Sequence, residues 1–130
     1  MTLRELLKQK IEVNKETVVW EGNEFHLEGK NDGSVMIKLT ADHDELKKKV
    51  NHYNALFKTS TITPSFIIMV LAIEAALVPE DPKKPYGEHE IVQLGLNYGT
   101  LFAKLSEGAI KVLGLADSGD DALATQAVGN

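Results

Sequence analysis

The stretch TPSFIIMVLAIEAALVP, residues 63–79, decides how the rest of the chain is read. Between Phe66 and Val78 its one polar residue is Glu74, so whatever it forms is apolar on nearly every side and must be covered. Thr63 can cap a helix. Pro64 suits the first helical position, where its missing N–H is not needed, and Pro79 stops the helix. Phe66, Ile67, Ile68 and Val70 taken alone favour a strand, but the Ala- and Leu-rich second half and the length of the run favour a helix. The run falls short of the roughly 18–20 apolar residues that span a bilayer. It therefore predicts a buried core helix, in which each large side chain removed from water contributes about 1.5–3 kcal/mol.

On the N-terminal side of this run, Asp42 opens a second helix, with Glu45 three residues on in the manner of a capping box. Leu46, Val50, Tyr53 and Phe57 follow at spacings of four, three and four, one apolar stripe, with Lys47, Lys48 and Lys49 off it. Thr59, Ser60 and Thr61 end that helix. Further back, residues 17–20 (TVVW) and 25–27 (FHL) flank Glu21, Gly22, Asn23 and Glu24, a hairpin pattern in which Phe25 and Leu27 alternate with polar neighbours. A turn at residues 30–33 (KNDG) leads to Val35, Ile37 and Leu39 at period two, a third strand. Such a meander is too small to stand alone and must lay one face on the helices. Leu3, Leu6 and Leu7 mark a short amphipathic helix over residues 2–10.

On the C-terminal side, residues 79–85 (PEDPKKP) hold three prolines and read as loop. Residues 87–90 (GEHE) open a helix, their acidic side chains placed where the helix dipole favours them. Ile91, Leu94 and Tyr98 share a face of it. Gly99 is read as its end and Thr100 as the cap of the next helix, whose stripe is Leu101, Phe102, Leu105, Ala109 and Val112 despite Gly108. Gly114 suits a C-terminal cap. These patterns predict an α+β fold: a mainly helical domain of four to five helices with a small N-terminal antiparallel β-unit. Residues 1–116 form one globular domain, with the β-unit at 17–39 and the helices at 42–116. Residues 117–130 (DSGDDALATQAVGN) form a flexible acidic tail.

Composition narrows the function. The 130 residues suffice for one domain with a core. There is no cysteine, which removes disulfides, thiolate metal sites and a Cys nucleophile. The N-terminus lacks the apolar core of a signal peptide, which points to the cytoplasm. Residues 1–60 carry ten Lys/Arg and ten Asp/Glu, whereas residues 61–130 carry four and nine, the whole net charge of −5. An acidic C-terminal half argues against nucleic acid and anionic membrane as partners and allows a basic protein.

Chemistry-bearing motifs are missing. His26, His43, His52 and His89 fall in no metal-ligand pattern and read as surface histidines. Residues 88–90 could be an acid/base cluster, but helix-start charge explains the glutamates. Glu74 could be a buried acid with a raised pKa; the plainer reading puts it on the stripe that reaches solvent or pairs it with a lysine. There is no nucleophile elbow and no phosphate loop. Residues 88–113 imitate a helix-turn-helix, yet the second helix carries only Lys104 and Lys111 and lacks base-reading Arg, Asn and Gln. No catalytic residue, metal site or cofactor is expected, and a binding module remains. Trp20, Phe25, Tyr53, Phe57, Tyr86, Tyr98 and Phe102 are its bulky anchors, most of them core.

Three parts of the chain carry a resemblance. They are the β-unit leading into VMIKLTADHDELKKKV (residues 35–50), the apolar middle helix, and a C-terminal part. The last runs from GEHEI (87–91) through LFAKLSE (101–107) to LGLAD (113–117) and the Ala-rich acidic tail. In this layout the chain resembles the tail assembly chaperones of long-tailed (siphovirus-type) bacteriophages. The resemblance implies an adaptor rather than an enzyme. Such chaperones work in the host bacterial cytoplasm, bind the helical tape measure protein and keep it soluble while the tail tube forms, and are absent from the mature virion. Many exist in two forms, the longer made by a frameshift and recruiting the tail tube protein; this chain would correspond to the shorter. A structural minor tail or head-tail completion protein of a phage is the alternative, and a small regulator the third.

The partner surface is expected on the C-terminal helices. Ile91, Val92, Leu94, Leu96 and Tyr98 cover more than one helix face, a surplus that marks an interaction or self-association surface, or a helix sandwiched in the core. The residues expected to bind a helical protein through an apolar groove are Tyr86, Ile91, Leu94, Leu96, Tyr98 and Phe102.

Overall fold

The computed structural model describes residues 2–4, 14–29 and 42–114. Within them the chain forms an antiparallel hairpin, β1 (Asn14–Trp20) and β2 (Asn23–Gly29), followed by four helices. These are α1 (His43–Leu56), α2 (Pro64–Ala76), α3 (Glu88–Asn97) and α4 (Gly99–Val112). The fold is α+β, as the change from period-two to period-3.6 patterning implies. Most of the helix expected over residues 2–10, the third strand at 35–39 and the tail at 117–130 lie outside the described residues.

The apolar run is α2, and it is central. Thr63 Oγ1 accepts the Phe66 N–H at 3.2 Å and Pro64 takes the first position. Ile67, Val70, Leu71, Ala72, Ile73 and Ala76 are buried, while Phe66, Ile68 and Met69 pack half-buried against them. The helix touches α1, α3, α4 and β2, which is why it has no polar face. It stops at Ala76 rather than running on to Pro79. Leu77 is extended and pairs with Leu27 of β2, and the Val78 N–H bonds to the His26 carbonyl at 2.9 Å. A backbone partner on β2 therefore ends α2 before the proline does.

The hairpin is longer than its β-prone runs, because register rather than propensity sets its length. Trp20 faces Asn23 across a two-residue turn of Glu21 and Gly22, with φ of 50° and 79°, the left-handed pair that suits a tight hairpin. Val18, Phe25 and Leu27 turn toward the helices, with Leu27 fully buried. Two glycines let the hairpin lie directly on α4. A Cβ on Gly108 would come within 2.5 Å of Leu27 Cδ1, and one on Gly29 would come within 1.8 Å of the Val112 carbonyl oxygen. Asn14, opposite Gly29, donates to that same oxygen at 3.4 Å.

α1 lays Leu46 and Tyr53 on α2, with Val50 and Phe57 half-buried beside them. The Asp42 carboxylate caps it through the Asp44 N–H at 2.7 Å, the second helical position rather than Glu45. At the far end the N–H groups of Lys58 and Thr59 bond to the carbonyls of Ala55 and Asn54, a Schellman closure with Lys58 in the left-handed position at φ 52°. The Asn54 side chain then exchanges two 3.1 Å bonds with the backbone of Ile62, which fixes the approach to α2. Left-handed backbone costs a residue with a Cβ about 1–2 kcal/mol, part of which glycine forfeits through its freer unfolded chain. Lys58→Gly is therefore expected to stabilise the protein by about 0.5–1 kcal/mol, read as a higher urea midpoint with an unchanged slope.

α3 and α4 meet at a single residue. Tyr98 ends one helix, its N–H on the Leu94 carbonyl at 2.7 Å, and starts the other, its carbonyl accepting Phe102 N–H at 2.9 Å. Gly99 is thus the first residue of α4 and Thr100 is not its cap. A one-residue joint is too short for the three- or four-residue turn of a DNA-binding helix-turn-helix. The stripe expected on α4 is buried at every position, Leu101, Phe102, Leu105, Ala109 and Val112. Gly114 closes the helix at φ 76°. Among the described residues no helix is long and apolar enough to cross a membrane.

Candidate protein-binding groove

The proline-rich loop brings the chain from α2 to α3. Asp81 organises it: its carboxylate accepts the Lys83 N–H at 3.0 Å and its carbonyl the Lys84 N–H at 2.8 Å. Lys83, Lys84 and Pro85 are left exposed and Tyr86 is turned half-inward. Tyr86 then forms one wall of an open apolar groove of about 200 Å³, together with Phe25 of β2, Leu77, Ile91 and Leu94 of α3 and Leu105 of α4. Ile91 and Leu105 are buried, so they make its floor, and Phe25, Leu77, Tyr86 and Leu94 are the half-buried walls. Among the described residues Glu90 is the sole charged one in the lining. Its Oε1 accepts the Gly87 N–H at 3.1 Å, closing the start of α3 where glycine has no side chain to do so.

The head of α3 is tied to α1 through a neighbouring carboxylate. Lys49 Nζ lies 2.9 and 2.8 Å from the two oxygens of Glu88, and the Tyr53 hydroxyl donates to Glu88 Oε1 at 2.8 Å. Burial pushes the Tyr53 phenol far above its ordinary range, and the hydrogen bond to Glu88 adds to the shift. The phenol therefore stays neutral and keeps donating at any working pH. Lys49 lies off the apolar stripe of α1, as its sequence position implies, but it is half-buried by this ion pair rather than free in solvent.

The six residues expected to bind a partner do not form one surface. Tyr86, Ile91 and Leu94 come together in the groove. Phe102 does not join them. It is 4% exposed and stacks on Phe66 with ring centroids 4.8 Å apart, over Gly95, whose missing Cβ makes room for both rings. Leu96 is half-buried outside the groove. Tyr98, at the α3–α4 joint, is 52% exposed and meets Trp20 edge-on at 5.7 Å. Ile91 is itself only 2% exposed; with Val92 also buried, α3 is covered on two sides, so its apolar surplus is in large part core. Phe25, Leu77, Glu90 and Leu105 belong to the groove and are absent from the sequence-based set. Only the alternation around Phe25 could have hinted at them, since the four come from four separate stretches of chain.

The other polar residues singled out in the sequence are dispersed. All four histidines are exposed; His26 bonds with Thr17 across the hairpin at 3.2 Å and His52 rests edge-on against Tyr53. Among the described residues no three His, Asp or Glu side chains gather as a metal site would require. Glu74 is half-buried and lines a second cavity of about 340 Å³ with Glu28, Leu77 and the prolines at 79, 82 and 85. No protein-family model matches the chain, and neither a curated protein nor a solved structure is significantly similar to it.

Proposed function

We propose that this protein is a phage tail assembly chaperone of the host bacterial cytoplasm, binding the tape measure protein through the groove between β2, α3 and α4 and keeping it soluble until the tube encloses it. The observation that carries the reading is the groove itself. Its walls, Phe25, Leu77, Tyr86 and Leu94, are half-buried apolar side chains held by the packed α3–α4 pair and a bridged strand. An apolar groove on a preformed frame suits the apolar face of an amphipathic helix, the form in which a long helical protein is prone to aggregate. The sequence layout described above joins that capacity to a class of partner. The tail tube protein would be met only by a longer form. Nothing in the groove resembles a catalytic constellation, and the role proposed is that of an adaptor without metal or cofactor.

The test is co-expression with the tape measure protein from the same genome, read as soluble complex recovered by affinity capture. Leu94→Ser and Tyr86→Ser are each expected to cut recovered complex by about tenfold, the loss of one buried anchor at an interface centre. Both positions are half-buried, so the melting temperature of each variant is measured alongside. A folded Leu94→Ser variant that still solubilises the partner at the wild-type level would overturn the assignment of the groove. Failure of the wild-type protein to solubilise it would overturn the function.

A further inference from the structure

Resting on the reading of the groove as a docking site, we propose that its occupant is a basic amphipathic helix. That helix sets a lysine or arginine against Glu90 beside the apolar side chain it buries between Tyr86 and Leu94. Two glutamates stand at the head of α3 and their situations differ. Glu88 has both oxygens engaged by Lys49 and a further bond from Tyr53. Glu90 has one hydrogen bond, from the Gly87 N–H to Oε1, and no cation partner among the described residues. That bond fixes the carboxylate at the groove while Oε2 remains available.

A partner covering the groove takes water away from this carboxylate. An occupant that is purely apolar leaves the charge desolvated and uncompensated, which is costly; one that brings a cation does not. On a helix, residues three or four apart are neighbours at about 5–6 Å, so one helix can deliver an apolar group and a cation together. Strand addition does not fit, because the edge of β2 beside the groove is met at Leu27 by Leu77. Lys83 and Lys84 are exposed and do not line the groove. The excess of acidic over basic residues in 61–130 draws a basic partner toward this half of the protein.

The experiment uses two synthetic amphipathic peptides of about 18 residues, long enough to hold helix. They share one Leu stripe and differ in carrying Lys or Gln beside it. Each is titrated into the 130-residue protein and into its Glu90→Gln variant, whose amide oxygen can still accept from Gly87 and preserve the helix start. The wild-type protein is expected to bind the Lys peptide about five- to tenfold more tightly than the Gln peptide. Glu90→Gln is expected to abolish that preference, weakening the Lys peptide and tightening the Gln peptide toward it, because no charge is then left desolvated under the Gln peptide. The preference should shrink as salt is raised. Failure to bind either peptide, or a Lys preference that survives Glu90→Gln, overturns the proposal. The functional reading is tested separately: if Glu90→Gln holds the tape measure protein as well as wild type does, the function stands and the charge pairing falls. If the Lys preference depends on Glu90 but no tape measure complex forms, the function falls and the site stands.

Discussion

Replacing Ile73 by aspartate is expected to unfold the protein at room temperature. Ile73 is 0% exposed in the last turn of α2, the helix that touches every other helix and β2. A carboxylate there is enclosed by the apolar core and must either stay charged without a partner or take up a proton and remain unsatisfied. Substitutions of this kind fall in the tail of mutational effects, above about 4 kcal/mol. That is a large part of the roughly 5–15 kcal/mol that holds a typical domain folded. Far-UV circular dichroism during a urea titration gives the answer. Ile73→Val is the control: it removes one methylene and should cost about 0.5–1.5 kcal/mol. A cooperative, near-wild-type transition for Ile73→Asp would mean that α2 is not the centre of the core.

Gly29→Ala should be nearly as damaging, for a different reason. The added methyl would come within 1.8 Å of the Val112 carbonyl oxygen and 2.5 Å of its carbon. Both sides of that clash are backbone, so no rotamer relieves it and the base of the hairpin must lift from the end of α4. The cost is expected to reach or exceed the upper end of the usual overpacking range of about 1–3 kcal/mol, a fall in melting temperature of about 10 °C or more. Hydrogen exchange would locate the damage, with β2 amides losing protection while α2 keeps most of its own. Gly108→Ala is the milder companion. Its clash is with Leu27 Cδ1, the end of a side chain that can turn. A Gly29→Ala variant melting within about 2 °C of wild type would show that the hairpin does not press on α4 as described.

What could be seen in advance followed the range over which each cause acts. The start of α2 was legible because Thr63 and Pro64 act within one helical turn, and the α4 stripe because its period is local. The end of α2 was not, since Leu77 is drawn into an extended conformation by β2, fifty residues earlier in the chain. The α3–α4 boundary slipped by a residue because Gly99 is a strong breaker by composition, yet Tyr98 absorbs the turn. Half of the groove was legible in the same sense. Ile91 and Leu94 share a face of α3 and Tyr86 lies just before that helix, all close in sequence, whereas Phe25, Leu77 and Leu105 reach them only through tertiary packing. Phe102 was misplaced because nothing local announces that Gly95 opens a slot for its stack with Phe66.

The meeting of Asn14 and Gly29 over Val112 also says something about how the chain is threaded. The first residue of β1 donates a hydrogen bond to the last residue of α4, so the path through the described fold closes almost into a ring. A circular permutant could therefore be cut in the proline-rich loop, where the backbone is exposed, and joined by a short linker from Gly114 to Asn14, with every described element left in its place. For the same reason, a segment carried beyond Gly114 departs from the foot of the hairpin, close to where the chain enters β1.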